Sequence, residues 1–232
     1  MPTRIAVSGL SKTFVMHLQG GVRLPVVSGA DFSVAEGECV VLGGPSGAGK
    51  SSILKMVYGN YGTDAGQIVV RDGNRLTDMA SADPRAVVRL RERVIGYVSQ
   101  FLRVVPRVSA LDVVADPLLA RGIPIVDARR RASHLLERLN VPSRLWTLPP
   151  ATFSGGEQQR VNVARGFVTD HPVLLLDEPT ASLDATNAQV VVDLIAEKKA
   201  AGVAMLGIFH DEGVRAAVAD RIVDVTRFRT AA

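Results

Sequence analysis

The sequence predicts an α/β domain built on a mainly parallel sheet with helices on both faces. Short apolar runs with strand character alternate with helical stretches along most of the chain, the pattern that successive βαβ units leave in sequence. One run, Cys39-Val40-Val41-Leu42, passes straight into a Gly-rich loop and a helix-like stretch. Another, Val173-Leu174-Leu175-Leu176, carries no polar residue and ends in two carboxylates, Asp177 and Glu178. Uninterrupted apolar runs of this length fit strands covered on both faces.

The elements follow in order. Arg4–Val7 and Phe32–Val34 read as short strands, with turn signals at Gly20-Gly21 and Ser28-Gly29. Cys39–Leu42 is a strand and Ser51–Tyr58 a helix. Gly66–Arg71 is a strand, Pro84–Arg93 a basic helix, and Gly96–Gln100 the end of a strand. Residues 109–139 are helical, broken by Pro117, Gly122 and Pro124, and Pro142, Pro149 and Pro150 mark a loop. Glu157–Val168 is a helix, Val173–Leu176 a strand, Ala188–Ala201 a helix, Met205–Phe209 a strand and Glu212–Ala219 a helix.

The totals exclude several classes. The 232 residues, 47% of them hydrophobic, suffice for one sizeable domain, and 22% mixed charges argue against bulk disorder. The net charge of +4 comes largely from Arg, but no basic run is interleaved with aromatics, so no nucleic-acid partner is expected. A single cysteine, Cys39, rules out an intrachain disulfide and reads as a buried strand residue. No apolar run approaches the roughly 20 residues of a membrane span, and no basic stretch precedes an apolar core at the N-terminus. The expectation is a cytoplasmic chain.

Gly44-Pro45-Ser46-Gly47-Ala48-Gly49-Lys50-Ser51 matches the P-loop pattern in full, with a strand before it and a helix after it. In that setting the glycines let the backbone curl N–H groups toward phosphate oxygens, and the helix adds its positive end. Lys50 supplies a fixed cation for the β- and γ-phosphates, and the Ser51 hydroxyl suits Mg2+. Asp177 and Glu178 stand where a parallel sheet presents ligands. Asp177 is suited to Mg2+ through water, and Glu178 to polarising the water that attacks the γ-phosphoryl group.

Ser154-Gly155-Gly156-Glu157-Gln158 is a motif that P-loop proteins in general lack, and it resembles the signature of ABC-type ATPases. The rest of that family's pattern follows in order over nearly the whole chain. Gln100 matches the Q-loop glutamine, Ser182-Leu183-Asp184 the D-loop and His210 the switch histidine. Phe14 stands where the family carries an adenine-stacking aromatic, with a core role equally open. Ser52 replaces a common Thr. The resemblance implies an ABC nucleotide-binding domain over 1–232. It adds an antiparallel β subdomain and a helical subdomain inserted at approximately 101–166. It also implies an ATP hydrolase using ATP and Mg2+. Two such chains would pair head to tail, as a homodimer or with another ABC subunit. In that pair Ser154, Gly155, Gly156, Glu157 and Asp184 of one chain complete the nucleotide site of the other. Gly44 to Ser52 cradle the phosphates, Ser51, Gln100 and Asp177 attend Mg2+, and Glu178, His210 and Lys50 serve hydrolysis.

Four stretches narrow the resemblance: residues 21–26, 98–107, 139–146 and 207–212. They look like the PhnL-type ABC subunits of bacterial carbon–phosphorus lyase systems, which break down phosphonates. That match implies soluble lyase core subunits and a PhnK-type ABC subunit as partners. It also implies support for forming α-D-ribose 1-methylphosphonate 5-triphosphate from ATP and a phosphonate. The alternative is the ATPase of a membrane ABC transporter of lipoprotein-release or efflux type, with a membrane subunit as partner. Arg85, Arg89, Arg91 and Arg93 are expected on a solvated face. Trp146 is expected in core or interface packing, and His17, His134 and His171 are given no role.

Overall fold

The computed structural model describes residues 1–16, 18, 20–102 and 106–229. Two sheets organise them. Strands β1 (Thr3–Met16), β2 (Val22–Ala35), β4 (Ala65–Asp72) and β5 (Arg75–Asp78) form an antiparallel sheet in the order β2-β1-β4-β5. Strands β3 (Cys39–Gly43), β6 (Ile95–Val98), β7 (Val173–Asp177), β8 (Ala204–Ile208) and β9 (Arg221–Asp224) form a parallel sheet in the order β6-β7-β8-β3-β9.

The parallel sheet separates two cores, and strand alternation assigns each side chain to one of them. Val40, Leu42, Val173, Leu175, Leu206 and Ile208 face the antiparallel sheet, α1 (Lys50–Val57) and α2 (Pro84–Arg93). Cys39, Val41, Leu174, Leu176 and Met205 face α3 (Ala110–Leu119), α4 (Ile125–Arg138), α5 (Gly155–Phe167) and α6 (Ala185–Ala200). Every residue of β3, β7 and β8 is buried, as apolar runs without alternation require. Helix α7 (Glu212–Val218) follows β8.

Local choices differ from the sequence reading at identifiable places. The first two strands run 14 residues each, and register shifts at several points break the two-residue alternation that would mark their full length in sequence. Strands β5 and β9 are short and half-polar, and periodicity gave no sign of them. Pro117 does not break its helix. It lies in the last turn of α3, where one lost backbone hydrogen bond is tolerated, and the chain leaves the helix at Gly122 and Pro124. Helix α5 starts at Gly155, two residues early, because Ser154 and Glu157 form a reciprocal capping box.

Cys39 is fully buried on β3, and burial pushes its thiol up to about 12. The nucleophile is the thiolate, so native protein is expected to resist thiol reagents at pH 8 and to react only in denaturant. Stoichiometric labelling of the folded protein at mixing speed would contradict this burial.

Candidate nucleotide-binding site

Parallel pairing aligns the C-terminal ends of β6, β7, β8 and β3 along one edge of the sheet. From these ends leave Gln100, Asp177 and Glu178, His210, and the loop that opens at Gly44. That edge is where an open α/β sheet places its ligand.

The loop between β3 and α1 is held in a conformation that depends on glycine. Gly47 and Gly49 take φ of 76° and 99°. A Cβ on Gly49 would meet the Val26 carbonyl oxygen at 3.0 Å, whereas nothing lies within 4 Å of one on Gly47. The first residue is packed and the second faces open space. Ala48 is buried beneath, while Gly44, Pro45 and Ser46 are exposed. Lys50 is 8% exposed, and its ammonium donates to the carbonyl oxygens of Gly44 at 2.7 Å and Pro45 at 2.8 Å. A cation is thus folded into the loop itself.

This loop shares a cleft of about 230 Å³ with the ends of β7 and β8. Ser46, Gly47, Gly49, Lys50, Ser51 and Ser52 line one side, with Val26, Glu178 and His210 completing it. Asp177 lies behind it and is buried. The Ser51 hydroxyl donates to its Oδ1 at 3.3 Å, and the Tyr97 hydroxyl to its Oδ2 at 2.9 Å. Burial raises the Asp177 pKa and the neighbouring Glu178 adds to the rise, while the two hydroxyl donors and Lys55 oppose it. Glu178 takes φ of 54°, and its carboxylate faces the cleft. Gln100 Nε2 donates to Oε2 at 3.3 Å, and His210 Nε2 lies 2.7 Å from Oε1. Four sequence-predicted residues (Ser51, Gln100, Glu178 and His210) therefore meet around the acidic strand end.

Hard oxygen donors on Ser51 and Asp177, beside a phosphate cradle, fit the few-ligand sites that Mg2+ uses with nucleotides. Among the described residues no group of three His, Cys, Asp or Glu forms an all-protein metal cage.

Other predicted residues stand apart from the cleft. Ser154 caps α5, donating its hydroxyl to Glu157 Oε2 at 2.7 Å and its backbone N–H to the same atom at 2.9 Å. Those two donors hold the Glu157 carboxyl below its ordinary pKa. Gly155 is exposed, and a Cβ on Gly156 would meet the Ser182 carbonyl oxygen at 3.0 Å. Signature and D-loop thus touch within one chain. Asp184 caps α6, accepting from the Asn187 backbone N–H at 2.8 Å, which lowers its pKa. Phe14 is half-buried, edge-on to Tyr61 at 5.3 Å, and does not line the cleft.

Two residues went unread in the sequence. Gln159 and Asn162 lie three apart on one buried face of α5. Gln159 Nε2 donates to the carbonyl oxygens of Glu178 at 3.2 Å and Pro179 at 3.0 Å, and Asn162 Nδ2 to that of Ser99. The signature helix therefore grips the backbone on which Glu178 stands. Two amides at that spacing inside an otherwise apolar face were the available signal. Arg91 corrects an expectation: it is half-buried, with its guanidinium 4.5 Å over the Tyr58 ring, while Arg85, Arg89 and Arg93 are exposed. Residue 91 follows Leu90 onto the packed side of α2. Trp146 packs against the helical core and donates Nε1–H to the Val141 carbonyl at 2.9 Å. His134 is exposed, and burial pushes His171 down to about 4. His17 and residues 103–105 of the stretch after Gln100 lie outside the described residues.

Comparison with known proteins places this arrangement. Residues 27–181 match the family model described as ABC transporter. A lipoprotein-releasing system ATP-binding protein LolD of Maricaulis maris is 42% identical over 208 residues, 89% of this chain and 87% of that one. The LolD of Alcanivorax borkumensis is 37% identical over 83% of each chain. The ATP-binding cassette MJ0796, solved as a dimer in a post-hydrolysis state bound to ADP and Pi, superposes with a TM-score of 0.86 at 25% identity. That superposition covers 96% of this chain and 95% of the other. These names agree with the transporter alternative rather than with the PhnL-type reading. Among the described residues no helix is long and apolar enough to cross a membrane. The P-loop cleft, the family match and the fold-wide superposition together establish that the chain belongs to the ABC transporter ATP-binding family.

Proposed function

We propose that the chain hydrolyses Mg·ATP as one half of a head-to-tail pair and transmits the cycle to a partner through its helical segment, approximately residues 101–166. The observation that carries this reading is the division of the site. The P-loop, Glu178 and His210 share one cleft. The exposed Ser154–Gly155 start of α5 lies outside that cleft and has its use against a second chain's nucleotide. Helix starts suit anions, because their first N–H groups have no partner within the helix.

Within one chain, Lys50 and the loop N–H groups hold the β- and γ-phosphates. Ser51 and, through water, Asp177 would hold Mg2+, which would supply positive charge beside the phosphates. Glu178 accepts a proton from the attacking water, and His210 orients that water against the γ-phosphoryl group. Gln100 ties Glu178 to the end of β6, the strand that leads into the helical segment. Loss of the γ-phosphate removes a charge that both chains grip, and the pair loosens.

The partner has two readings. The names of the relatives support a membrane partner of the lipoprotein-release type, at the membrane's cytoplasmic face. The residues at 98–107 and 139–146 support a soluble phosphonate-processing complex of the carbon–phosphorus lyase kind. A mild pull-down of tagged chain from its host separates them. A stoichiometric polytopic membrane protein as partner establishes transport and excludes the lyase reading. Soluble lyase subunits in the same role do the reverse. A chain recovered alone in both fractions would overturn the coupled function itself.

A further inference from the structure

We infer that Tyr97 is a positioning residue for Asp177, fixing which carboxylate oxygen faces the metal; this rests on the proposal that Asp177 serves Mg2+. Asp177 is 2% exposed and its carboxylate has two oxygens to satisfy. Its Oδ1 accepts from Ser51, the residue suited to the metal, and its Oδ2 accepts from Tyr97 on the neighbouring strand. The Tyr97 bond is the shorter, 2.9 Å against 3.3 Å. A buried carboxylate oxygen without a donor is costly, so without this bond the group would turn about its last torsion to share the Ser51 donor. With Oδ2 claimed by Tyr97, Oδ1 stays turned toward Ser51.

The donor is itself held in place. The Tyr97 ring stacks on Tyr58, with centroids 4.8 Å apart and planes 29° from parallel. The Arg91 guanidinium covers Tyr58 and ties down its backbone, donating Nε–H to the Tyr58 carbonyl at 2.8 Å and Nη2–H to Asn60 Oδ1 at 3.0 Å. Two rings and a cation therefore fix a hydroxyl whose direction decides the carboxylate's. A phenylalanine would preserve the stack and lose only the oxygen.

Tyr97→Phe isolates that oxygen. Affinity for ATPγS is measured by calorimetry in Mg2+ and again in EDTA, for wild type and variant. The gain in affinity that Mg2+ confers is expected to fall about three- to ten-fold in the variant, the size of one ordinary net hydrogen bond. Affinity in EDTA is expected to stay at its wild-type value, which distinguishes positioning from packing, while the melting temperature is expected to fall by a few degrees because a buried carboxylate oxygen loses its donor. An unchanged Mg2+ gain overturns the role of Tyr97, and so does an equal loss in both arms. A wild type that gains nothing from Mg2+ overturns instead the assignment of Asp177 to the metal.

Discussion

Glu178→Gln is expected to bind ATP as the wild type does and to hydrolyse it more slowly by a factor of about a hundred or more, the usual contribution of a general base. The substitution is nearly isosteric, and the local bonds survive it. Gln100 still donates to the side-chain oxygen, and the new amide meets His210 Nε2 once that ring carries its proton on Nδ1. The backbone at φ 54° is set by other groups: its N–H donates to the Ile208 carbonyl, and Gln159 grips its own carbonyl. What is removed is proton acceptance alone. A cassette that cannot discharge the γ-phosphate keeps the charge both chains grip. ATP should therefore shift the variant to a dimer on size-exclusion chromatography and leave wild type mostly monomeric under turnover. Normal hydrolysis by this variant would remove Glu178 from the role of base.

The residues of this cleft were legible in sequence because each sits where an apolar run stops. A fully buried strand such as Val173–Leu176 leaves polar residues to its ends, and parallel pairing sends all the C-terminal ends to one edge, so Gly44, Asp177 and His210 converge there. The capping box at Ser154 and Glu157 is equally local, yet it went unread, and the helix was expected to start only at Glu157. Contacts made across the sheet were not legible. Tyr97 is the penultimate residue of its strand and reads as one more apolar residue of β6, yet its hydroxyl reaches Asp177 on the next strand. Arg91 looks like its exposed neighbours until Tyr58, more than thirty residues earlier, is known to lie beneath it. The long first hairpin was missed because its bulges scramble the alternation that marks a strand. The assignment to a partner rests on neither kind of signal. It depends on surface stretches, where the 98–107 residues and the relatives' names point different ways.

Lys50→Ala should abolish useful nucleotide affinity while leaving the fold in place. The ammonium carries charge-assisted bonds, each worth about 1.5–3 kcal/mol, and two such contacts to phosphate correspond to a loss of about a hundred-fold or more in affinity. Its present partners, the Gly44 and Pro45 carbonyls, belong to exposed residues, so water replaces it there at small cost. The two effects separate in a melting experiment. Without nucleotide the variant should melt within a few degrees of wild type. With ATP at about 100 times its wild-type dissociation constant, wild type gains about 2.7 kcal/mol of stability by mass action. The variant at the same concentration should gain no more than about 0.4 kcal/mol, because the ligand then at most equals its weakened dissociation constant. Full stabilisation of Lys50→Ala by ATP would mean that the loop's N–H groups alone hold the phosphates, and that the buried cation serves the shape of the loop rather than its ligand.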